Sequence, residues 1–468
     1  MNKKNFYITT TLAYVNADPH IGFAREIIMA DVWARFHRAA GHEVFFNTGT
    51  DEHGQKIYEK AQEMGMDAQK YCDEKAASFN QLKDVLNLSF DAFIRTTDEH
   101  HMEAAQEFWR VCDANGDIYK KNYKIKYCVG CELEKTDSEL VDGRCPLHPN
   151  KDIEVIEEEN YFFRFSKFQD KLLELYEKNP EFVLPKKRLN EINAFVEKGL
   201  EDFSISRLKS KMPWGVPVPG DSKQVMYVWF DALVNFISTL GWPTDLEKFN
   251  KFWPVVQVCG KDNLRQQSAM WQAMLMSADL PNSERIFVSG FINSGGQKMS
   301  KSLGNVISPY DMVEKFGTDG TRYILLSFGN FGEDSDLTWE QMTEKYNADL
   351  ANGLGNLVSR VIKLSPRAKL LELSKSLALG ELVEKMELGQ ALDYIWKIIK
   401  DANKFIDDNK PWELVKIDQT KFEEVMKKLL SDLNSISELL IPFMPETSQK
   451  IKKALETKKV EPLFQRIK

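Results

Sequence analysis

The sequence predicts an α/β protein: a doubly wound parallel sheet, split by an insert and followed by an all-α helical bundle. Three observations carry this reading. Short apolar runs alternate with helical periodicity over residues 1–115 and again over 216–325. Between them lie about 100 residues rich in hairpin and turn signals. From about residue 340 onward the apolar residues recur only at helical spacing.

In chain order, residues 6–9 read as a buried strand and 21–39 as a helix, with Ile21, Ile28, Val32 and Phe36 near one face. Residues 43–46 make a second strand, 54–64 and 67–85 two polar helices, 91–95 a third strand and 98–114 a helix. The alternation stops near Gly116. Residues 117–165 read as hairpins, and helices follow near 166–178 and 188–200. Pro213, Gly215, Pro217, Pro219 and Gly220 then punctuate the chain. Residues 225–229 read as a strand leading into a helix that ends at Leu240, 255–258 as a strand before a helix over 263–278, and 286–288 as another strand. Leu388, Ala391, Leu392, Ile395, Ile399, Ala402 and Ile406 make one stripe of the bundle, and 343–364 and 421–440 carry others.

A chain of 468 residues suggests about three domains. Hydrophobic residues make up 43% and charged residues 28%, a globular composition. No apolar run is long enough to span a membrane. Met1-Asn2-Lys3-Lys4-Asn5 leads straight into a strand without the pattern of a signal peptide, so the expected compartment is the cytoplasm. The net charge is −8, unevenly spread: residues 351–468 hold 21 Lys+Arg against 17 Asp+Glu. Such asymmetry can mark a nucleic-acid-facing module, or only a solvated surface.

Of six cysteines, Cys128, Cys131 and Cys145 cluster, while Cys72, Cys112 and Cys259 are scattered. Cys128-Val-Gly-Cys131 and Cys145-Pro-Leu-His148 have the spacing of a tetrahedral zinc site. Four protein ligands leave no open position, so the expected Zn2+ is structural, one per chain, and it staples an insert too small for its own core. Gly130 and Gly143 suit the turns.

Two segments suit phosphate. Asp18-Pro19-His20-Ile21-Gly22-Phe23 follows the first strand and opens the first helix; Gly22 allows close backbone approach and His20 can donate to a phosphate oxygen, although a histidine there also serves as a plain cap. Gly295-Gly296-Gln297-Lys298-Met299-Ser300-Lys301-Ser302 reads as a flexible glycine loop whose lysines can follow charge onto a leaving pyrophosphate. The pair resembles the signatures of the class I aminoacyl-tRNA synthetases, H-I-G-H and K-M-S-K-S. Lys298 to Ser302 match the second in full; His20-Ile21-Gly22 match the first, with Phe23 in place of its last histidine.

Within that class the chain is similar to the methionyl-tRNA synthetase family, over essentially its whole length. Thr48-Gly49-Thr50-Asp51-Glu52-His53-Gly54, Tyr227-Val228-Trp229-Phe230-Asp231-Ala232, the cysteine knuckle and Asn409-Lys410-Pro411-Trp412 carry the likeness. The resemblance implies a Rossmann-like catalytic domain in two halves, 1–115 and 216–325, a connective insert over 116–215, a stem-contact linker over 326–350 and an anticodon-binding bundle over 351–468. It implies ATP with Mg2+, L-methionine and tRNA(Met) as partners, no membrane, and a monomer as the default. ATP would meet His20, Gly22, Gly260, Asp262, Lys298, Ser300 and Lys301, with His20, Lys298 and Lys301 catalytic. Methionine would meet Leu12, Tyr14, Asp51, Trp229, Ala232, Leu233 and Phe236. Asp51 suits the ammonium and the aromatic walls suit the thioether. Arg207, Gln266 and Gln267 would support the site, and Asn356, Arg360, Pro411 and Trp412 would read the anticodon by stacking and edge hydrogen bonds.

The chain also departs from the family. Phe23, Gln266-Gln267 and Ser289 stand where it usually has His, Phe-His and His, so three imidazoles are missing from one neighbourhood. Gln266, Gln267 and Arg265 are the expected substitute donors. An inactive relative that only binds tRNA and another class I synthetase, such as the cysteine enzyme, are the alternatives. Intact Lys298, Lys301 and Asp51 weigh against the first, and the knuckle's place in a separate insert against the second.

Overall fold

The computed structural model describes residues 4–131, 133–135, 139–299, 304–365, 377–459 and 461–468. At its centre is a seven-stranded sheet with every pairing parallel. Across it run Ala13–Tyr14, Glu43–Asp51, Asn5–Thr10, Val256–Gly260, Arg285–Ser289 and Val183–Leu184, and Ala92–Arg95 also pairs with Glu43–Asp51. Ile8 lies between Phe46 and Val256 in register. The central strands carry short apolar runs, such as 6–8 and 44–46, because both faces are covered, and buried Thr and Asn take over toward their carboxyl ends. One face packs on a core that runs from Ile8, Ile28 and Val32 into the C-terminal helices at Leu357, Ile395 and Leu433. The other packs around Trp109, Phe163, Phe230 and Trp271. The doubly wound sheet and the helical bundle expected from the sequence are both present.

From the central pair the chain leaves in opposite directions. After Asn5–Thr10 it goes to Glu43–Asp51, and after Val256–Gly260 to Arg285–Ser289. Where strand order reverses, the carboxyl ends of the two strands leave a crevice, the usual ligand site of such sheets.

Three expectations need correction. The insert is not wholly external, since its Val183–Leu184 forms the sheet edge beside Arg285–Ser289. The run expected as a strand over 225–229 is instead the end of Asp221–Met226, which lies in a small antiparallel sheet with Ser206–Leu208 and Pro217–Val218. The chain turns at Tyr227, and Trp229 sits on a one-turn helix, Val228–Ala232, which directs Asp231 into the interior. Third, Gly295-Gly296 forms a tight turn between paired strands and not an irregular loop. Both have positive φ (64° and 74°) and close a two-residue hairpin between Ile292–Ser294 and Gln297–Lys298.

Among the described residues, no helix is long and apolar enough to cross a membrane.

Candidate active site

The crevice at the switch point is a cleft of about 480 Å³. Leu12, Tyr14 and His20 enter it from the segment after the first strand, and Asp51 from the end of the second. Trp229, Ala232, Leu233 and Phe236 enter from the helical stretch after Tyr227, Gly260 from the end of Val256–Gly260 and Asp262 from the turn that follows it. Gly22, Gln266, Gln267 and Lys298 line it too. One cleft therefore holds every described residue expected to meet ATP or methionine. Ser300 and Lys301 lie outside the described residues.

His20 caps the helix Ile21–Ala39. Its Nδ1 accepts a hydrogen bond from the Gly22 N–H at 3.0 Å. With Nδ1 an acceptor, the neutral imidazole carries its proton on Nε2 and can donate it to an anion. The ring keeps one edge open to the cleft, yet desolvation there lowers its pKa below the ordinary imidazole value; nearby Asp262 opposes and Lys298 assists. A Cβ at Gly22 would lie 2.8 Å from the His20 ring, so any larger residue there displaces the imidazole. The next backbone N–H, of Ile21, donates to the Ile307 carbonyl at 3.1 Å, so the His20 turn is tied to the chain just beyond the lysine loop. Lys298, at the end of the hairpin, has its ammonium 4.7 Å from the Phe291 ring centroid.

The missing imidazoles have different fates. Phe23 packs edge-to-face on Phe79 and donates nothing. The Ser289 hydroxyl donates to the Cys259 carbonyl at 3.2 Å. Gln267 donates to Thr11 Oγ1 at 2.7 Å and accepts from Gln257 at 3.2 Å, stitching the two central strands together. Arg265 turns away onto Glu139 and the Phe195 ring and does not line the cleft. Gln266 remains: its Oε1 and the Trp229 Nε1–H are buried without a hydrogen-bond partner among the described residues, an acceptor and a donor left for a ligand. Gln266–Met270 forms a π-helical turn, a distortion frequent at functional sites.

Arg207 does not line this cleft. It lies in a neighbouring cavity of about 390 Å³, donating to Ser204 Oγ and the Ser206 carbonyl and packed beside the Tyr127 and Tyr227 rings.

The insert folds back so that Gly130, Cys131, Leu147 and His148 wall the cleft. The sequence placed this knuckle in a separate insert, and the folding back brings it to the rim. Its four ligand atoms, with His148 offering Nδ1, all lie within 4.8 Å of one another. The Cys131–Cys145 sulfur separation is 3.4 Å and Cys131 to His148 is 3.2 Å. A zinc with bonds of about 2.0–2.3 Å fits such a set. Gly130 lies in the expected turn, and a Cβ on it would meet His148 Cγ at 2.3 Å, so close approach also calls for glycine here. Lys56 donates to the Gly130 carbonyl, and its ammonium is 5.7 Å from the Tyr14 ring, joining knuckle to cleft.

In the bundle, Asn356 and Arg360 project from Asn356–Leu364, and Pro411 and Trp412 open Pro411–Ile417. The Arg360 guanidinium is 5.5 Å from the Trp412 ring and bonded to Asp407 at 2.6 Å. Trp412 is 40% exposed, unusual for tryptophan and suited to stacking.

Comparison with known proteins agrees with this geometry. The family model described as class I tRNA synthetases (M) matches residues 6–152 and 139–362, and that for the anticodon-binding domain of methionyl tRNA ligase matches 367–464. The methionine–tRNA ligase of Thermotoga maritima is 43% identical over 95% of this chain and 74% of its own length. The chain belongs to the class I methionyl-tRNA synthetase family. Another member of the family, the Brucella suis methionine–tRNA ligase, is 40% identical over 96% of this chain and 92% of its own. The Mycobacterium tuberculosis methionyl-tRNA synthetase in complex with methionyl-adenylate superposes with a TM-score of 0.91 at 39% identity, covering 96% of this chain and 93% of that one.

Sequence reasoning missed Glu26. It lines the cleft, accepts from the Thr11 N–H at 2.9 Å, and faces Gly260 together with Asp262. Burial drives its pKa up to about 8, with Asp262 adding to the rise. No clear signal marked it, because Arg25, Asp31 and His37 are also polar residues buried on the same helix.

Proposed function

We propose that this chain activates L-methionine with ATP to methionyl-adenylate and transfers the methionyl group to tRNA(Met). The observation that carries this is the single switch-point cleft lined both by His20, Asp262 and Lys298 and by Asp51, Trp229 and Phe236. Asp51 holds the ammonium, and the slot between Leu12, Tyr14, Trp229, Ala232, Leu233 and Phe236 takes the thioether side chain.

The methionine carboxylate, already ionised, attacks the α-phosphorus in line, and the bond to the β-phosphate oxygen breaks. Pyrophosphate leaves with the displaced electron pair. His20 donates Nε2–H to the phosphates, while Lys298, with Lys301 and Ser300 from the same loop, stabilises the departing charge. Gly260, Asp262 and Glu26 flank the ribose. Bound with ATP, Mg2+ would supply neutralisation of phosphate charge. In the second step a hydroxyl of the terminal tRNA ribose attacks the adenylate carbonyl carbon and AMP leaves. Cys128, Cys131, Cys145 and His148 would hold a structural Zn2+, and Asn356, Arg360, Pro411 and Trp412 read the anticodon.

Amino-acid-dependent ATP–pyrophosphate exchange tests the first step. Exchange with methionine and not with cysteine, leucine or isoleucine is expected, followed by charging of tRNA(Met). Exchange with another amino acid, or tRNA binding without any exchange, would overturn the reading.

A further inference from the structure

Asp231 is fully buried behind the cleft, on the same one-turn helix as Trp229 and Ala232. Both its oxygens are engaged: Oδ2 with His53 Nδ1 at 2.6 Å and Oδ1 with His101 Nε2 at 3.0 Å. His101 Nδ1 is 2.9 Å from Ser238 Oγ, on the short helix that also carries Phe236. Burial pushes the Asp231 pKa up, but His53 and His101 overcome this and bring it down to about 2. An ionised carboxylate only accepts, so each imidazole turns an N–H toward it. Neither His53, His101 nor Asp231 lines the cleft.

His53 stands two residues after Asp51. The residue between them, Glu52, is itself fixed, accepting from Arg95 at 2.7 and 2.9 Å and from the Thr50 and Thr97 hydroxyls at 2.6 Å. On that side of Asp51 the chain is tied down. The His53–Asp231 bond joins this strand end to the Trp229 helix across 178 residues of sequence.

We propose that Asp231, held between His53 and His101, is a positioning residue that sets the separation between the ammonium site at Asp51 and the thioether slot at Trp229. It makes the cleft a ruler for the length of the amino-acid side chain. The inference rests on the methionine reading above. A site of fixed length discriminates one methylene by about 10–200-fold, and a loosened one loses part of that ratio.

The test is steady-state exchange with methionine, its one-carbon-longer homologue ethionine and ATP, on wild type, Asp231→Asn, His53→Leu and His53→Asn, with thermal melts alongside. Asp231→Asn and His53→Leu are expected to raise the methionine KM about ten-fold or more and to lower the methionine-to-ethionine kcat/KM ratio several-fold, with the ATP KM within about three-fold of wild type. His53→Asn keeps an N–H donor near the Nδ1 position and is expected to recover most of the loss. A merely structural role would lower the melting temperature without selectively moving the methionine KM or the ethionine ratio. The positioning role is overturned by folded Asp231→Asn or His53→Leu protein with unchanged methionine KM and ratio, or with the ATP KM rising in parallel. Should Asp231→Asn not fold, the His53 pair decides. A wild type without methionine-dependent exchange would sink the activity reading and this inference together; unchanged variants of an active wild type would sink this inference alone.

Discussion

The Nε2 proton of His20 matters more than its charge. Nδ1 is committed to the Gly22 N–H and the pKa is lowered, so the neutral ring has its far nitrogen available to donate. Asparagine at this position keeps an oxygen for the cap but cannot reach as far. His20→Asn is expected to leave the melting temperature nearly unchanged and to cut pyrophosphate exchange about 10²–10³-fold, the cost of one lost donor to developing charge. Equal losses of stability and rate would instead make His20 a cap and nothing more. Glu26 provides a pH test. Its folded pKa of about 8 lies above the ordinary carboxylate value, so the fold binds its proton more tightly than the unfolded chain does. That contribution is whole below about pH 4.5 and is lost as pH rises through 8. Urea unfolding of wild type minus Glu26→Gln, followed from pH 5 to 9, should fall by up to about 1.4 kcal/mol per pH unit and level off above 8. A flat difference would mean that Glu26 is ionised throughout. At this scale the sequence named the motif residues because they repeat known chemistry. It missed Glu26, gave Asp231 no role of its own, and named Gln266 as a donor where the fold leaves its Oε1 as the unpartnered atom, because these roles depend on which side chains the fold buries opposite them.

Elements are where local pattern and tertiary demand part company. The alternation of strands and helices was legible because buried parallel strands carry short apolar runs and their crossover helices are periodic. Val225-Met226-Tyr227-Val228-Trp229 has the same strand-like composition, yet the chain bends after Met226 so that Asp231 reaches His53 and His101. The edge strand Val183–Leu184 is two residues long and exists only through pairing with Arg285–Ser289, which no local pattern announces. The cysteine spacing was plain, but its position against the cleft was not, because Lys56 and Gly130 meet only in the folded chain. This contact predicts a coupling. Gly130→Ala must push its new methyl into the His148 ring. The variant is expected to bind less than one zinc per chain, measured by metal release into a chromogenic chelator, and to show a raised methionine KM, since the wall beside Tyr14 moves with the knuckle. Full zinc content with wild-type kinetics would show that the ring yields freely.

At the scale of the whole molecule, the bundle and the catalytic sheet share one apolar core, and the buried Arg322–Asp31 ion pair lies within it. Arg322 is fully buried, with Nη2 2.8 Å from Asp31 on the helix that His20 caps. Its remaining N–H groups donate to the Leu86 carbonyl in the catalytic half at 3.1 Å and to Phe443 and Pro442 in the bundle at 2.8 and 2.9 Å. Asp31 is further held by Arg35 and by the Ser89 N–H and hydroxyl, and these neighbours outweigh burial and keep its pKa below the ordinary value. Replacing Arg322 with methionine preserves length but strands three carbonyls and removes one of two cations from a buried carboxylate. Breaking such a pair costs about 3–5 kcal/mol, and because Arg35 remains, the lower end is expected in urea unfolding. The test of whether the pair acts as a unit is the double variant. Arg322→Met with Asp31→Asn removes the uncompensated charge, so its loss should be smaller than the sum of the single losses by about 1–3 kcal/mol. If the losses simply add, Arg322 and Asp31 act independently, and Arg322 holds the bundle through its carbonyl contacts alone. If they do not, the guanidinium that joins Phe443 to the His20 helix is the part of the molecule through which a disturbance in the bundle reaches the cleft, and Arg322→Met should slow tRNA charging more than it slows pyrophosphate exchange.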